Sequence, residues 1–296
     1  TYFGVETFDI NYRADVDAQS EAGLVGGSAG NSAEGSRSVN AVMAEAILPV
    51  TDYLEVDLAV RYDNYDDFGS EVSPRVGARF TMIDNLVVKA SYGQGFRAPD
   101  LSDLYGATSF SAENATDYYG CQLDGVAEAD CPDRQFDTYI GSNPNLDAET
   151  SETMSFGAEY TYDNNWVAKV NYVTLELQNA NEYVSAQDML NVDRNTGGNN
   201  PQVDRNSLGA VTEIRAGYQN AVNDVQRQSV DLALDGTIHE SDDYGTFGFR
   251  GEATKYLKFE TETEFGSGIL GDAVDTLGFP EWRSSALISW TMGNWG

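Results

Sequence analysis

Leu54-Glu55-Val56-Asp57-Leu58-Ala59-Val60-Arg61-Tyr62-Asp63 sets an apolar residue at every second position, with charges and one alanine between them. Side chains of a strand point alternately to its two faces, so the stretch predicts a β-strand with one apolar and one charged face. The same pattern recurs outward from it. Val76, Ala78, Phe80 and Met82 oppose Arg75, Gly77, Arg79 and Thr81. Met154, Phe156, Ala158, Tyr160 and Tyr162 oppose Thr153, Ser155, Gly157, Glu159 and Thr161. Val230, Leu232 and Leu234 oppose Asp231, Ala233 and Asp235, and Phe247, Phe249, Ala253, Leu257 and Phe259 oppose Arg250, Glu252 and Lys258. About ten such strands are expected. No helical segment of comparable length competes, although 185–190 suits a short helical turn within a loop.

Alternation alone fits a soluble sandwich as well as a membrane barrel. The connections separate the two. Long segments at 14–38, 98–150, about 180–225 and 260–281, with a medium one at 64–71, alternate with short turns. The short turns fall at Pro49–Asp52, Ile83–Asn85, Asp163–Asn165, His239–Tyr244 and Gly293–Asn294. Long loops on one rim and short turns on the other is the arrangement of an outer-membrane barrel, with extracellular loops and periplasmic turns. A sandwich has no reason to keep that parity. Aromatics near strand ends, among them Tyr62, Tyr65, Tyr92, Tyr162, Trp166, Tyr172, Trp282, Trp290 and Trp295, fit a membrane–water interface. The expected class is therefore all-β, an antiparallel transmembrane β-barrel, with Leu54, Val56, Leu58 and Val60 facing lipid and Glu55, Asp57 and Arg61 facing inward.

The chain has 296 residues and a formal charge of −31, with 41% hydrophobic content. Such an acidic surface repels phosphate and argues against a nucleic-acid partner. No apolar run reaches the length of a transmembrane helix, and no signal-peptide pattern opens the chain at Thr1. Cys121 and Cys131, the two cysteines, lie in a polar stretch and suit a single loop disulfide in an oxidising compartment.

Several stretches resemble the barrel of TonB-dependent outer-membrane receptors. Ser73-Pro74-Arg75-Val76-Gly77-Ala78-Arg79-Phe80, with its continuation from Leu86 through Gly93-Gln94-Gly95-Phe96-Arg97-Ala98-Pro99, is similar to the family's most recognisable barrel signature. Asn143-Pro144-Asn145-Leu146-Asp147-Ala148-Glu149-Thr150-Ser151-Glu152 resembles the motif that opens the following strand, with Ala148 where the family often has proline. Gln228–Leu232, Tyr244–Phe247 and Pro280–Trp290 fit later strands. The resemblance implies that residues 1–296 are a barrel fragment, about half of a barrel of about twenty-two strands. By the same resemblance the family's N-terminal plug domain and terminal strands are expected outside this stretch. The resemblance also implies location in the outer membrane of a Gram-negative bacterium, contact with outer-membrane lipid, and coupling to the TonB complex through that plug. The implied activity is import of a scarce small-molecule ligand: a siderophore complex of iron, cobalamin or an oligosaccharide. A passive porin or structural barrel is the alternative.

No constellation resembles a hydrolase or transferase site, so no catalytic residue and no cofactor is expected. Gly93-Gln94-Gly95 lacks the third glycine and the strand-to-helix setting of a phosphate loop. His239 stands at a predicted turn without a nucleophile partner. The acidic group Asp63, Asp66, Asp67 and Glu71 is a calcium candidate, though it does not match an EF-hand. In the longest loop Tyr118, Tyr119, Arg134, Phe136 and Tyr139 are candidate ligand contacts, set beside the cysteine pair.

Overall fold

The computed structural model describes residues 1–25, 28–163, 165–222, 224–293 and 295, with backbone alone at 28 and 29. Asn164 and Asn294, at two of the expected short turns, lie outside the described residues. The strands are β1 (Tyr2–Ala14), β2 (Ser28–Ala29), β3 (Ala33–Pro49), β4 (Leu54–Tyr65), β5 (Gly69–Ile83) and β6 (Leu86–Arg97). They continue as β7 (Ser109–Thr116), β8 (Asp133–Gly141), β9 (Glu149–Tyr162), β10 (Trp166–Gln178), β11 (Asn181–Val184) and β12 (Val203–Arg205). The last are β13 (Val211–Asn220), β14 (Val225–Ser241), β15 (Gly245–Glu262), β16 (Leu270–Asp272) and β17 (Trp282–Thr291). The helices are α1 (Ala18–Glu21), α2 (Leu101–Tyr105), α3 (Tyr118–Leu123) and α4 (Ala186–Asn195).

Eleven strands form one antiparallel sheet in the order β1-β3-β4-β5-β6-β9-β10-β14-β15-β16, with β17 also paired to β15. Ten of them are long, and each pairs antiparallel with the long wall strand next to it in the chain. This is the wall of an antiparallel transmembrane barrel. Directly opposed residues share a face, so register shows where each row points. Leu48, Val56, Ala78, Ala90, Phe156, Tyr172 and Val230 form one apolar row across seven adjacent strands, β3 to β14 in sheet order. Glu55, Arg79, Lys89, Gly157, Asn171, Asp231 and Thr254 form a polar row on the opposite face. A depression of about 460 Å³ lined by Glu55, Asp57, Arg79, Lys89, Ser91 and Lys169 makes that polar face the concave one. Leu58, Val60 and Phe156 stand 42%, 44% and 60% exposed on the other. Apolar residues that remain uncovered along a convex belt are what lipid requires and water would penalise.

The concave face is tied by cross-strand pairs. Glu159 bridges Lys89 at 3.0 Å and Lys169 at 3.6 Å. Ser91 and Ser155 hydroxyls meet at 2.7 Å, and the Thr254 hydroxyl donates to Asp231 at 2.6 Å. On the convex face Gly236 sits between Trp166 and Phe249, whose rings are 6.3 Å apart. A Cβ at Gly236 would enter the Trp166 ring. Gly236→Val is therefore expected to turn the indole off the wall, read as a changed Trp fluorescence in Gly236→Val relative to wild type. An unchanged spectrum would show that the ring does not lie over residue 236.

Four local expectations need correction. Residues 64–71 are no medium loop, because β4 runs to Tyr65 and β5 resumes at Gly69. His239 lies within β14, opposite Phe247, and the turn begins after Ser241. Phe259 does not share the face of Ala253 and Leu257. A bulge shifts the β14–β15 register so that Ser229 opposes Tyr256 and Gln228 opposes Lys258, leaving Leu257 unpaired. One extra residue reverses the parity of all that follow, which puts Tyr256 and Phe259 on the same concave face. The turn expected at 185–190 is the start of a ten-residue helix, α4. Ser185 and Asp188 cap it reciprocally, the Ser185 amide donating to the Asp188 carboxylate at 3.0 Å.

The largest departure from a strand-and-loop picture is in the long connections. Residues between β6 and β9 and between β10 and β14, joined at one edge by β2 from the connection between β1 and β3, build a second sheet, in the order β11-β13-β8-β7-β2 with β12 on β13. β8 from the first connection runs parallel to β13 from the second. Neither connection could complete this sheet alone. At that junction Gly217 has φ 140°, and a Cβ there would strike the Gly141 carbonyl, so only glycine lets the two strands meet. Helix α4 covers the sheet. Met189, Leu190, Val184, Ala186, Ala115, Val203 and Ile214 form a buried cluster, with Phe136, Val211 and Phe265 packed against it. The apolar core thus lies in the loop assembly, because the wall sends its own apolar side chains outward.

Candidate functional site: the loop assembly at the long-loop rim

The seam between wall and loop assembly is made by the two stretches that carry the family resemblance. Arg97 at the end of β6 opposes Glu149 at the start of β9, and their side chains meet at 3.4 Å. Glu149 also accepts from the Asn181 amide at 2.8 Å. The Asn143 amide donates to Asp103 O at 2.7 Å, and its side-chain amide donates to Tyr218 O at 3.1 Å. Asn220 accepts from the Asp147 amide at 2.9 Å and donates back to Asp147 O at 3.0 Å. Asn143–Glu149 is therefore a strap that holds both long connections to the rim. Pro99 is fully buried, and its carbonyl accepts from Arg37 at 2.9 Å.

Arg37 engages one acid of the calcium candidate. It is 5% exposed, pairs with Asp67 at 2.7 Å, and lies 5.4 and 5.3 Å from the Tyr65 and Phe68 ring centroids. Asp63 accepts from Arg61 at 2.9 Å through both oxygens, and Asp66 accepts from the Ser38 amide at 2.9 Å. Among the described residues no group of three or more metal-ligating side chains gathers. Asp63 and Asp67 are thus engaged by arginines and Asp66 by a strand end, while Glu71 stands opposite Asp63 in the β4–β5 ladder.

The five aromatic and basic candidates do not gather in one place, although Arg134 and Phe136 line one cavity. Tyr118 lies under Arg194, 5.3 Å from its ring centroid, while Arg194 holds Glu128 at 2.8 Å. Tyr119 lies under Arg205 at 5.0 Å. Phe136 packs on the buried cluster. Arg134 lines a smaller cavity of about 270 Å³ with Asp117, Leu123 and Leu208. Tyr139 faces the other way on β8, stacked edge-on to Phe110 at 5.6 Å. Cys121 and Cys131 form a disulfide, with Cα atoms 5.9 Å apart, that closes the excursion between β7 and β8. The short segment also carries a side-chain contact between Thr116 and Asp133.

Arg205 is the hub of this half of the assembly. It reaches Asp117 through both terminal nitrogens at 2.8 and 2.7 Å, Asp193 at 2.8 Å and Gly209 O at 2.8 Å. Burial works to raise the Asp117 carboxyl, but the Arg205 hydrogen bonds and the Gly120 amide outweigh it and hold the group below its ordinary range. A depressed acid stabilises the fold fully above the unfolded value, near 4, and loses that contribution as pH falls through the folded one. The loop assembly is therefore expected to keep its resistance to protease from pH 7 to about 5 and to loosen only below about 4. Digestion at graded pH with an acid-tolerant protease checks this, and loosening between pH 7 and 5 would contradict it.

A cavity of about 680 Å³ opens beside the strap. Its lining includes Tyr139, Asn143, Asn145, Glu213, Arg215 and Tyr218. Arg215 is neutralised by Asp204 at 2.8 Å and Glu213 at 2.8 Å. Burial, then the Asp103 and Asp100 carboxylates, push the Tyr218 hydroxyl up, so it stays a neutral donor. The cavity offers amides, phenols and a satisfied ion pair, a lining suited to holding a polar ligand by hydrogen bonds. Only Tyr139 of the expected contacts belongs to it. The signal for the others was the period-two run Ile214, Ala216, Tyr218 against Glu213, Arg215, Gly217, inside a stretch read as loop.

Comparison with known proteins agrees with this architecture. A family described as "TonB dependent receptor-like, beta-barrel" matches residues 1–296. The ferric enterobactin receptor PirA of Pseudomonas aeruginosa is 31% identical over 159 residues, 51% of this chain and 19% of that protein. A mutant of the ferric enterobactin receptor PfeA from Pseudomonas aeruginosa, solved with enterobactin, superposes with a TM-score of 0.65 at 17% identity, over 97% of this chain and 36% of that one. The siderophore receptor PirA from Acinetobacter baumannii gives 0.61 at 15% identity, over 88% of this chain and 32% of its own. The chain thus spans about a fifth of the curated relative and about a third of these solved receptors. The chain belongs to the TonB-dependent receptor β-barrel family.

Proposed function

We propose that this chain is the wall and ligand-capturing rim of an outer-membrane receptor of a Gram-negative bacterium, embedded in outer-membrane lipid, that imports a ferric siderophore. The observation that carries the reading is the loop assembly itself. Two long connections of one rim are folded into a single cored unit beside a polar cavity of about 680 Å³. A rigid, preorganised mouth holds a ligand at less entropic cost than free loops would. The 31% identity to a ferric enterobactin receptor supports the siderophore as cargo over cobalamin or an oligosaccharide. Gating by a plug that the TonB complex moves completes the proposal, with residues 1–296 acting as the barrel unit around it. The chemistry is capture and release, without bond making.

The test is radioactive iron uptake from ferric siderophores by cells carrying the full-length gene, with and without a functional TonB complex. Uptake that needs both is expected. Uptake that persists without TonB would favour a passive porin, and uptake equal to that of a deletion strain would sink the assignment.

A further inference from the structure

We infer that the concave face of the wall carries a second binding site, for a small aromatic anion, built from Arg227, Tyr256 and Arg283 beside the Phe259–Phe279 stack. Acids outnumber bases 48 to 17 in this chain, and most guanidiniums are held by carboxylates. Arg227 and Arg283 differ. Their guanidinium carbons lie 4.9 and 5.8 Å from the centroid of the same Tyr256 ring. Among the described residues neither forms a salt bridge or donates a side-chain hydrogen bond. Two like charges gathered on one ring repel each other, and leaving them without a counter-charge in so acidic a protein favours an anion between them.

Register places the group on the concave face. Arg283 opposes Thr254, which opposes Asp231 of the polar row. The bulge at Leu257 then turns Phe259 to the same side as Tyr256, with Phe259 opposite Arg227. Without the bulge the ring would point to the convex face and the site would be open on that flank. Phe279, from the connection before β17, stacks on Phe259 with centroids 4.8 Å apart and an interplanar angle of 28°. Val274 completes a cavity of about 200 Å³. That is below the roughly 300 Å³ at which pockets begin to take drug-sized ligands, so it suits one substituted ring. Guanidinium forks match a carboxylate or a pair of acidic ring oxygens bidentately, and aromatic walls match the ring face. Position adds a purpose. On the convex face nearby, Lys255 pairs with Glu281 at 3.1 Å and covers Trp282 at 5.3 Å, a cationic and aromatic pairing suited to the upper edge of the apolar belt. Tyr256 therefore lies at the long-loop end of the wall, facing inward, where an aromatic acid group of a ligand would pass. That role rests on the uptake reading, whereas the binding does not.

Salicylate binding to the purified full-length receptor in detergent, measured by equilibrium dialysis at low and moderate salt, tests the site. Wild type is expected to bind, with affinity falling as salt rises. Arg227→Gln and Arg283→Gln should each weaken binding at least tenfold, the double variant should abolish it, and Arg283→Lys should fall between. Acetate should not compete. Heat-modifiable migration of each variant establishes that the barrel is intact. No binding by wild type, unchanged binding by the double variant, or acetate competing as well as salicylate would overturn the inference. Iron uptake measured in parallel separates the two proposals: salicylate binding without TonB-dependent uptake sinks only the uptake reading, and the reverse sinks only this one.

Discussion

Arg205→Ala is expected to unfold the loop assembly while leaving the wall in place. Arg205 joins α3 and its Asp117 to α4 and its Asp193, two connections far apart in sequence. Asp193 is fully buried. Removing the guanidinium leaves two carboxylates in a poorly solvated site with no cation, a loss of about 3–5 kcal/mol for a broken buried pair. It also removes the stacking over Tyr119 and the bond to Gly209 O. A penalty of that size is comparable to what a small cored unit has in total. Hydrogen exchange should show α4, β8 and β13 losing protection, with β4, β5 and β9 unchanged. Arg205→Lys should recover only part, since a lysine cannot make the forked contact. Equal protection of α4 in wild type and Arg205→Ala would show that the triad contributes specificity and not stability.

A second large effect is expected on the wall, and it has a direction. Leu232 and Asp231 are adjacent in β14 and face opposite sides. Leu232 is 41% exposed on the convex face, in register with Val170 and Ala253. Leu232→Arg puts a charge against lipid and should cost about 2–4 kcal/mol near the bilayer centre, less toward an interface. Asp231→Asn, on the concave side, keeps an acceptor for the Thr254 hydroxyl and should cost about 1 kcal/mol or less. Urea unfolding of the full-length receptor in vesicles, followed by its heat-modifiable band, measures both. Equal costs would mean that the faces have been assigned the wrong way round.

How much could be read beforehand differs between wall and rim. Leu54 to Asp63 announces its two faces because a strand repeats every two residues, a rule that needs no partner. The parity of long and short connections was visible for the same reason, since it requires only strand ends. Tyr118 and Tyr119 looked like ligand contacts because aromatic residues in a long polar segment fit a binding loop. Their actual partners, Arg194 and Arg205, are 76 and 86 residues away along the chain. Asp63 and Asp67 looked like cation ligands because they are close in sequence, yet Arg37 reaches Asp67 only when β3 and β4 pair.

The sequence by itself determined the class of element, the face each regular strand shows to lipid, the rim that bears long connections and the family to which these patterns are similar. All of these follow from local period and composition. Tertiary structure alone decided that β8 and β13 join two connections into one sheet, that Tyr118 and Tyr119 stack on arginines of the other connection, and that a bulge turns Phe259 inward. Each of these depends on contacts or register between segments distant in the chain. A pairing across dozens of residues, or one extra residue in a ladder, leaves no periodic trace in the sequence around it.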